Sequence, residues 1–150
     1  MAIKKHERWM QEAIKEALVA QENKEVPVGA VVVLHDRLIG RGHNQVETLK
    51  DATAHAEMIA LTSSSQTLGD WRLNNAILYV TLEPCPMCAG AIRLARISKC
   101  VFGAKDPKLS SLGSVYDIKS PGLKVVSGVL EHDCQQLLTA FFKKRRIQSQ

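Results

Sequence analysis

Short apolar segments of strand character alternate along this chain with segments of helical periodicity. Strands are predicted at residues 31–34, 38–42, 76–81, 100–103 and 123–127. Helices are predicted up to about residue 20, at 54–62, at 86–95 and from residue 134 onward. This order predicts a three-layer α/β/α fold with a central mixed sheet of five strands. The first two strands form a hairpin, and strands separated by helices are expected to be parallel.

The two terminal helices are predicted from apolar residues spaced three and four apart. In the first helix these residues are Met10, Ala13, Ile14, Ala17 and Leu18, and in the last they are Cys134, Leu137, Leu138, Phe141 and Phe142. Each set is expected to face the core. The serine cluster at 63–65 is expected to end the second helix, and residues 104–120 are predicted to form a long loop.

Length and composition bound the class of protein. The 150 residues, 45% hydrophobic and 23% charged, predict a single domain spanning 1–150. The first ten residues, MAIKKHERWM, lack the apolar core of a signal peptide, and no segment approaches the roughly 18 apolar residues of a membrane span. A soluble, cytoplasmic protein without a membrane partner is therefore expected, and no motif predicts an organic cofactor.

The chain carries a formal net charge of +5, which is compatible with a polyanionic partner. The cations include an unbroken basic run at residues 143–146, directly after Phe141 and Phe142. A solvated last helical turn explains such a run equally well, because cations are favourable at a helix C-terminus.

The segment PCPMC contains Cys85 and Cys88, a pair that suits a redox couple, a structural zinc site or a catalytic one. Upstream, the segment DATAHAEMIAL supplies His55. One imidazole and two thiolates would leave the fourth position of a tetrahedral zinc open, which is typical of catalysis. A closed structural site would need a fourth ligand, and Cys100, His132 and Cys134 lack the expected paired spacing.

Glu57 lies two residues after His55 and is a candidate base for a zinc-activated water. In a regular helix, however, residues two apart diverge by roughly 200°, so spacing alone does not bring these two together. Spacing is more favourable for the cysteines, which are predicted in the first turn of a helix. The helix N-terminus favours negative charge there, so both are expected to bind as thiolates.

HAE followed by PCPMC resembles the signature of zinc-dependent nucleoside and nucleobase deaminases. The segments VPVGAVVV, TAHAEMIAL, LYVTLEPCPMCAGAI and VFGAKD are similar to the bacterial tRNA-specific adenosine deaminase family over nearly the whole chain. The resemblance implies a cytidine-deaminase-like fold, one zinc ion per subunit and a homodimer. It also implies hydrolytic conversion of adenosine to inosine at the wobble position of a tRNA anticodon stem-loop.

Several residue roles follow from the resemblance. It makes His55, Cys85 and Cys88 the zinc ligands and Glu57 the proton shuttle. For the substrate, Asn44 matches a residue that hydrogen-bonds the target base, Val28 and Ala54 match residues of the base pocket, and Asp106 matches a residue near the neighbouring ribose. Phe142 and Arg145 are the candidate RNA contacts of the C-terminal helix. A turn role fits Asn44 and Asp106 as well, and Phe142 also fits the core face.

Three other functions are also compatible with the sequence. The signature is shared by deaminases of free guanine, cytosine or cytidine, which would not depend on the basic run. A structural-zinc RNA-binding module would function without Glu57. A thiol oxidoreductase would leave the HAE segment unexplained.

Overall fold

The computed structural model describes residues 2–106 and 121–149. Within these ranges lie the helices α1 (Ala2–Glu22), α2 (Val46–Leu49), α3 (Ala56–Leu68), α4 (Pro86–Leu94) and α5 (Glu131–Ser149). The strands are β1 (Gly29–Leu34), β2 (Arg37–His43), β3 (Ile77–Leu82), β4 (Lys99–Ala104) and β5 (Lys124–Val126). All five predicted strands are confirmed. Most of the predicted loop at 104–120 lies outside the described residues, and no described helix is long and apolar enough to cross a bilayer.

The strands form one mixed sheet in the order β2-β1-β3-β4-β5. β1 pairs antiparallel with β2, as the predicted hairpin requires, and β3 pairs in parallel with β4 on the other side of α4. The expectation for strands separated by helices also holds for β2 and β3, which both pair antiparallel with β1 and therefore run in the same direction without being neighbours. The connection through α2 and α3 thus crosses β1 and enters β3 in the direction of β2.

Alternating side chains of the strands face two separate helical layers, which confirms the predicted three-layer fold. Ala30 and Val32 of β1 pack in a cluster that includes residues of α3 and α4. Val31 and Val33 face the other side, in a cluster that includes residues of α1 and α5. This period of two is what a strand buried on both faces requires. A buried hydrogen bond of 2.8 Å between His6 Nδ1 and the Tyr79 hydroxyl also ties α1 to β3.

The terminal helices bury only part of the face predicted for each. In α1, Met10, Ala13 and Ala17 are buried, but Leu18 is 40% exposed. Glu16, which is not in the predicted apolar set, is buried and accepts a hydrogen bond of 2.8 Å from Arg41 of β2. In α5, Cys134 is buried but Phe142 is 42% exposed, so the prediction that Phe142 faces the core is wrong.

Helix α3 extends beyond its predicted end. The serine cluster at 63–65 lies inside the helix, because the Ser64 hydroxyl donates to the Ala60 carbonyl at 2.7 Å instead of disrupting the backbone ladder. The helix ends at Gly69, whose φ of 75° is the left-handed conformation of a C-terminal cap. At the other end, the extended residue His55 precedes the first turn.

Gly42 allows β2 to lie against the first turn of α3. A Cβ atom at this position would lie 2.5 Å from the Ala56 carbonyl oxygen, so only glycine permits the observed approach. The start of α3, which carries His55 and Glu57, is therefore fixed against the sheet.

Candidate metal centre and substrate cavity

The starts of two helices bring the three predicted zinc ligands together. His55 is the N-cap residue of α3 and Cys85 is the N-cap residue of α4, both with extended backbone conformations. Pro86 follows at the first helical position, where its missing amide costs nothing, and Cys88 lies in the same first turn. Two helix N-termini therefore meet here, and their partial positive charge favours anionic side chains.

The spacing of the donor atoms matches a tetrahedral zinc site. His55 Nδ1 lies 3.6 Å from Cys85 Sγ and 3.5 Å from Cys88 Sγ. All three ligand atoms lie within 4.8 Å of one another. Zinc bonds of about 2.3 Å to sulfur and 2.0 Å to nitrogen at tetrahedral angles place such donors about 3.6 Å apart. The residues present therefore fit zinc, with three protein ligands.

The protonation of the two thiols is unequal. A hydrogen bond with Cys88 lowers the pKa of Cys85 to about 4, and the same contact, together with burial, raises the pKa of Cys88. The hydrogen bond to Cys85 also raises the pKa of His55. The predicted thiolate form is thus favoured at Cys85 by the protein alone, whereas Cys88 needs the charge of a coordinated metal to lose its proton.

Glu57 is buried in the first turn of α3, with 4% of its surface exposed. Burial raises the pKa of its carboxyl group to about 7. A group with a pKa near neutrality can both accept and donate a proton under physiological conditions, as general acid–base catalysis requires. Glu57 and His55 converge because His55 lies before the helix, so the divergence expected for two helical residues does not apply.

A cavity of about 270 Å³ lies beside these groups. This volume is near the lower end of the roughly 300–1,000 Å³ typical of small-molecule sites, which suits a single nucleobase. Its walls are formed by Lys24, Glu25, Val26, Val28, Asn44, Val46, Glu47, His55, Ala56, Glu57, Leu82, Glu83, Cys85 and Arg145. The structure therefore places Val28, Asn44 and Arg145 around the same cavity as the chemical groups.

Asn44 is held by two hydrogen bonds of its side chain. Its Nδ2 donates to the Val26 carbonyl at 3.3 Å, and its Oδ1 accepts from the Val46 amide at 3.2 Å. The second bond spans two residues and is the turn role that the sequence also allowed. Because a carboxamide has two donors and two acceptor lone pairs, Asn44 keeps one of each for a ligand in the cavity.

Three predicted substrate residues do not line the cavity. Ala54 is buried beside His55, and its carbonyl accepts from the Gln45 amide at 3.0 Å. The amide of Asp106 donates to the Glu83 carboxylate at 3.3 Å. Phe142 packs edge-on against Phe141, with ring centroids 5.3 Å apart. Their substrate roles remain predictions. A contact of any of these three residues with substrate would have to lie outside the cavity.

Sequence reasoning missed two buried carboxylates in the cavity wall. Glu83 is 4% exposed and precedes the PCPMC segment directly, a position that could have drawn attention to it. Glu25 is 1% exposed, and its carboxylate accepts hydrogen bonds from the Glu47 amide, the Thr48 amide and the Thr48 hydroxyl. No local pattern marks Glu25, since its partners lie more than twenty residues away. These bonds fix α2 as one wall of the cavity.

Replacement of Glu25 by glutamine is expected to destabilise the protein by about 1–3 kcal/mol at neutral pH, because buried hydrogen bonds lose a charged acceptor. Burial by itself would raise the pKa of Glu25, but the bonds from Thr48 and Glu47 outweigh it and hold that pKa below the usual 4.5. The stabilisation is therefore present above pH 4.5 and lost as the pH falls through the lower folded-state value.

Denaturant unfolding of both proteins between pH 3 and 7 checks this prediction. The difference in unfolding free energy is expected to shrink toward the acid end. The exposed Glu22, on the last turn of α1, provides the control Glu22→Gln. A stability difference for Glu25→Gln that does not change with pH would contradict the proposed cause.

Comparison with known proteins extends these observations. Residues 3–104 match the family model of the cytidine and deoxycytidylate deaminase zinc-binding region. The chain is 50% identical over 145 residues to the tRNA-specific adenosine deaminase of Bacillus subtilis, covering 93% of this chain and 90% of that protein. The matched region of the family model contains all three candidate ligands and Glu57.

Solved structures show the same fold. One, from a study of A-to-I editing by tRNA:A34 deaminases at the wobble position of transfer RNA, superposes with a TM-score of 0.81 and 43% identity. It is matched over 87% of this chain and 99% of its own. A guanine deaminase from Bacillus subtilis matches less well, with a TM-score of 0.66 and 35% identity over 77% of this chain and 78% of its own. The expected deaminase-like fold is thereby confirmed.

Proposed function

The chain belongs to the tRNA-specific adenosine deaminases of the cytidine and deoxycytidylate deaminase zinc-binding family, and from this membership we propose that it deaminates adenosine to inosine at the wobble position of tRNA anticodons. One structural observation carries the chemistry. Three donors with tetrahedral zinc spacing lie beside a buried carboxylate in a cavity of nucleobase size. The choice of tRNA adenosine rests on the identity to relatives with that activity.

In this proposal, His55, Cys85 and Cys88 hold one zinc ion per subunit. When bound, the metal supplies Lewis acidity that makes water a stronger nucleophile at neutral pH. Glu57 accepts a proton from the attacking water and delivers it to a ring nitrogen of the base. It then accepts the remaining proton of the oxygen that has added to the base and passes it to the leaving amine, so that adenosine and water give inosine and ammonia.

The cavity walls orient the base in this reaction. Val28 provides an apolar surface, and the free donor and acceptor of Asn44 suit the polar edge of a purine. Because the cavity is walled by α2, by the start of α3 and by the segment that leads into β1, an adenine reaches Glu57 only after leaving its stack. An anticodon loop permits this extrusion at lower cost than a duplex.

Residues outside the cavity are proposed to contact the rest of the anticodon loop. Arg145 lies at the cavity wall and Phe142 is exposed on the same helix, which suits a phosphate and a stacked base respectively. Asp106 lies at the end of the described segment that follows β4, where it is proposed to meet a neighbouring ribose.

The experiment that tests the function compares two substrates for the zinc-loaded protein. Anticodon stem-loop RNA with a wobble adenosine and a mixture of free nucleosides and bases are incubated separately, and the products are identified by mass spectrometry. We expect inosine in the RNA. Product from a free base together with unmodified RNA would refute the proposal.

The similarity to a guanine deaminase supports a second candidate, a deaminase of a free base. Such an enzyme would use the same zinc ligands and the same carboxylate. It differs in requiring no contact with a nucleic-acid backbone, so its turnover would be independent of Phe142 and Arg145. The free-base arm of the experiment above distinguishes the two candidates.

We further propose that the enzyme is a homodimer that acts in the cytoplasm, where its proposed substrate is used. Exposed apolar side chains on the α3–α4 face support a dimer. They are Leu68 at 41%, Trp71 at 52% and Leu94 at 76% exposure. The guanidinium groups of Arg72 and Arg96 lie 4.5 and 5.3 Å from the Trp71 ring centroid. Aromatic residues with adjacent arginines are enriched in the cores of protein interfaces.

Replacement of Leu94 by glutamate is expected to convert the dimer to a monomer, because it would bury a charge in an apolar interface. Sedimentation equilibrium of wild type and variant measures the change directly. The control is Leu18→Glu, which adds the same charge at an exposed leucine of α1, in the opposite helical layer. A monomeric wild type, or equal masses for Leu94→Glu and wild type, would refute this interface.

A further inference from the structure

The turn that joins α1 to β1 has the hydrogen bonds of a Schellman motif. The Glu25 amide donates to the Ala20 carbonyl at 2.9 Å, and the Lys24 amide donates to the Gln21 carbonyl at 3.0 Å. In this motif the residue that reverses the chain adopts a left-handed conformation, which is usually provided by glycine. Here Lys24 occupies that position, with a φ of 61°.

A lysine in the left-handed region is less stable than glycine, because its Cβ crowds the backbone. Helix C-termini favour cations, but the preceding residues of α1 offer that charge several positions without backbone strain. Lysine at this position therefore costs stability. Seven described non-glycine residues have a positive φ, and Lys24 is the one among them that lines the cavity, which points to a role for its side chain there.

The surroundings of Lys24 indicate what that role is. Lys24 is exposed and forms part of the cavity wall, as does Arg145 from the far end of the chain. The next residue, Glu25, is fixed by three hydrogen bonds to α2, so the backbone of Lys24 is held in place. Acidic groups also line this wall. Glu25 is engaged by its three donors, and Glu47 is exposed to solvent.

We propose that Lys24 binds a backbone phosphate next to the extruded adenosine. This inference rests on the proposed function, because it requires a substrate in which the base is joined to a phosphodiester backbone. The flexible stem of lysine allows its ammonium group to reach a phosphate outside the cavity while the base occupies the interior. Because the neighbouring residues hold the backbone of Lys24 in place, its ammonium group lies close to the same phosphate in each complex.

Replacement of Lys24 by glycine separates stability from function, since it relieves the backbone and removes the charge. The melting temperature is expected to rise by about 2 °C. Affinity for anticodon stem-loop RNA should fall about tenfold at low salt, as expected when one charge-assisted contact is lost. The slope of log K against log salt concentration should decrease in magnitude by about 0.7, the value for one phosphate of a single strand.

Two further variants provide controls. Lys24→Arg keeps both the charge and the strain, and should retain the wild-type salt slope. Lys15→Ala removes the same charge from an exposed position of α1 that does not line the cavity, and should leave the slope unchanged. An unaltered salt slope in Lys24→Gly, or an equal change in Lys15→Ala, would refute the phosphate contact while the wild type still forms inosine. If the wild type forms no inosine in RNA, the proposed function itself fails.

Discussion

Replacement of Glu57 by glutamine is expected to lower the rate constant of inosine formation by about 10²–10⁴-fold, the usual contribution of a general acid–base group. The amide has nearly the same shape as the carboxylate but cannot accept and return a proton. Zinc content and RNA affinity should remain close to wild type, because His55, Cys85 and Cys88 account for the metal site. Glu57→Ala should lose turnover in the same way, with an added cost for the cavity it leaves.

Single-turnover kinetics with zinc-loaded protein and stem-loop RNA measure this effect without interference from product release. Glu16 offers a matched control, since it is also a buried carboxylate but pairs with Arg41 and does not line the cavity. Glu16→Gln is expected to reduce stability and leave the rate constant within a few-fold of wild type. Loss of zinc from Glu57→Gln would show that Glu57 is a ligand, and a rate constant near wild type would show that another group moves the proton.

The composition of the metal cluster could be predicted from the sequence, but its geometry could not. The types and order of His55, Cys85 and Cys88 indicated zinc, because imidazole and thiolate are its preferred ligands. The spacing of His55 and Glu57 argued against convergence in a regular helix. The structure resolves this difficulty through the extended backbone of His55, which caps α3 instead of joining it. Cap conformations depend on tertiary packing, here on the approach of β2 at Gly42.

The sequence did not predict those cavity walls that depend on contacts between distant segments of the chain. Helix α2 has four residues, none of them buried, so it has no apolar periodicity to reveal it. Its position depends on the carboxylate of Glu25, more than twenty residues earlier in the chain. The same separation hid Lys24, which becomes a wall residue only when the α1–β1 turn and α5 approach the same cavity.

Periodicity predicted the layers of the fold more accurately than the limits of its elements. It identified β1 as a strand, and the structure shows that both faces of that strand are covered. On α1 it included Leu18, which is exposed, and missed Glu16, which is buried and paired with Arg41. It also placed the end of α3 too early, because Ser64 satisfies its hydroxyl within the helix. Polar side chains that find internal partners are the common cause of both errors.

Replacement of Cys88 by alanine is expected to abolish zinc binding and reduce inosine formation to the level of RNA without protein. Cys88 is fully buried, and its sulfur is one of three donors that a catalytic zinc site requires. The ligands lie at the starts of α3 and α4, so metal binding also links these two helices. At a zinc concentration a thousandfold above the dissociation constant, the wild type should gain about 4 kcal/mol of stability. This corresponds to about 10 °C in melting temperature, which the variant should lack.

Zinc content by mass spectrometry, together with melting curves before and after addition of a chelator, tests both parts of this prediction. Cys134 is the matched control, because it is also buried but lies in the opposite layer, where burial raises its pKa to about 12 and keeps it a thiol. Cys134→Ala should bind one zinc ion per chain, respond to the chelator like wild type and deaminate RNA. A single zinc ion retained by Cys88→Ala would contradict the ligand assignment.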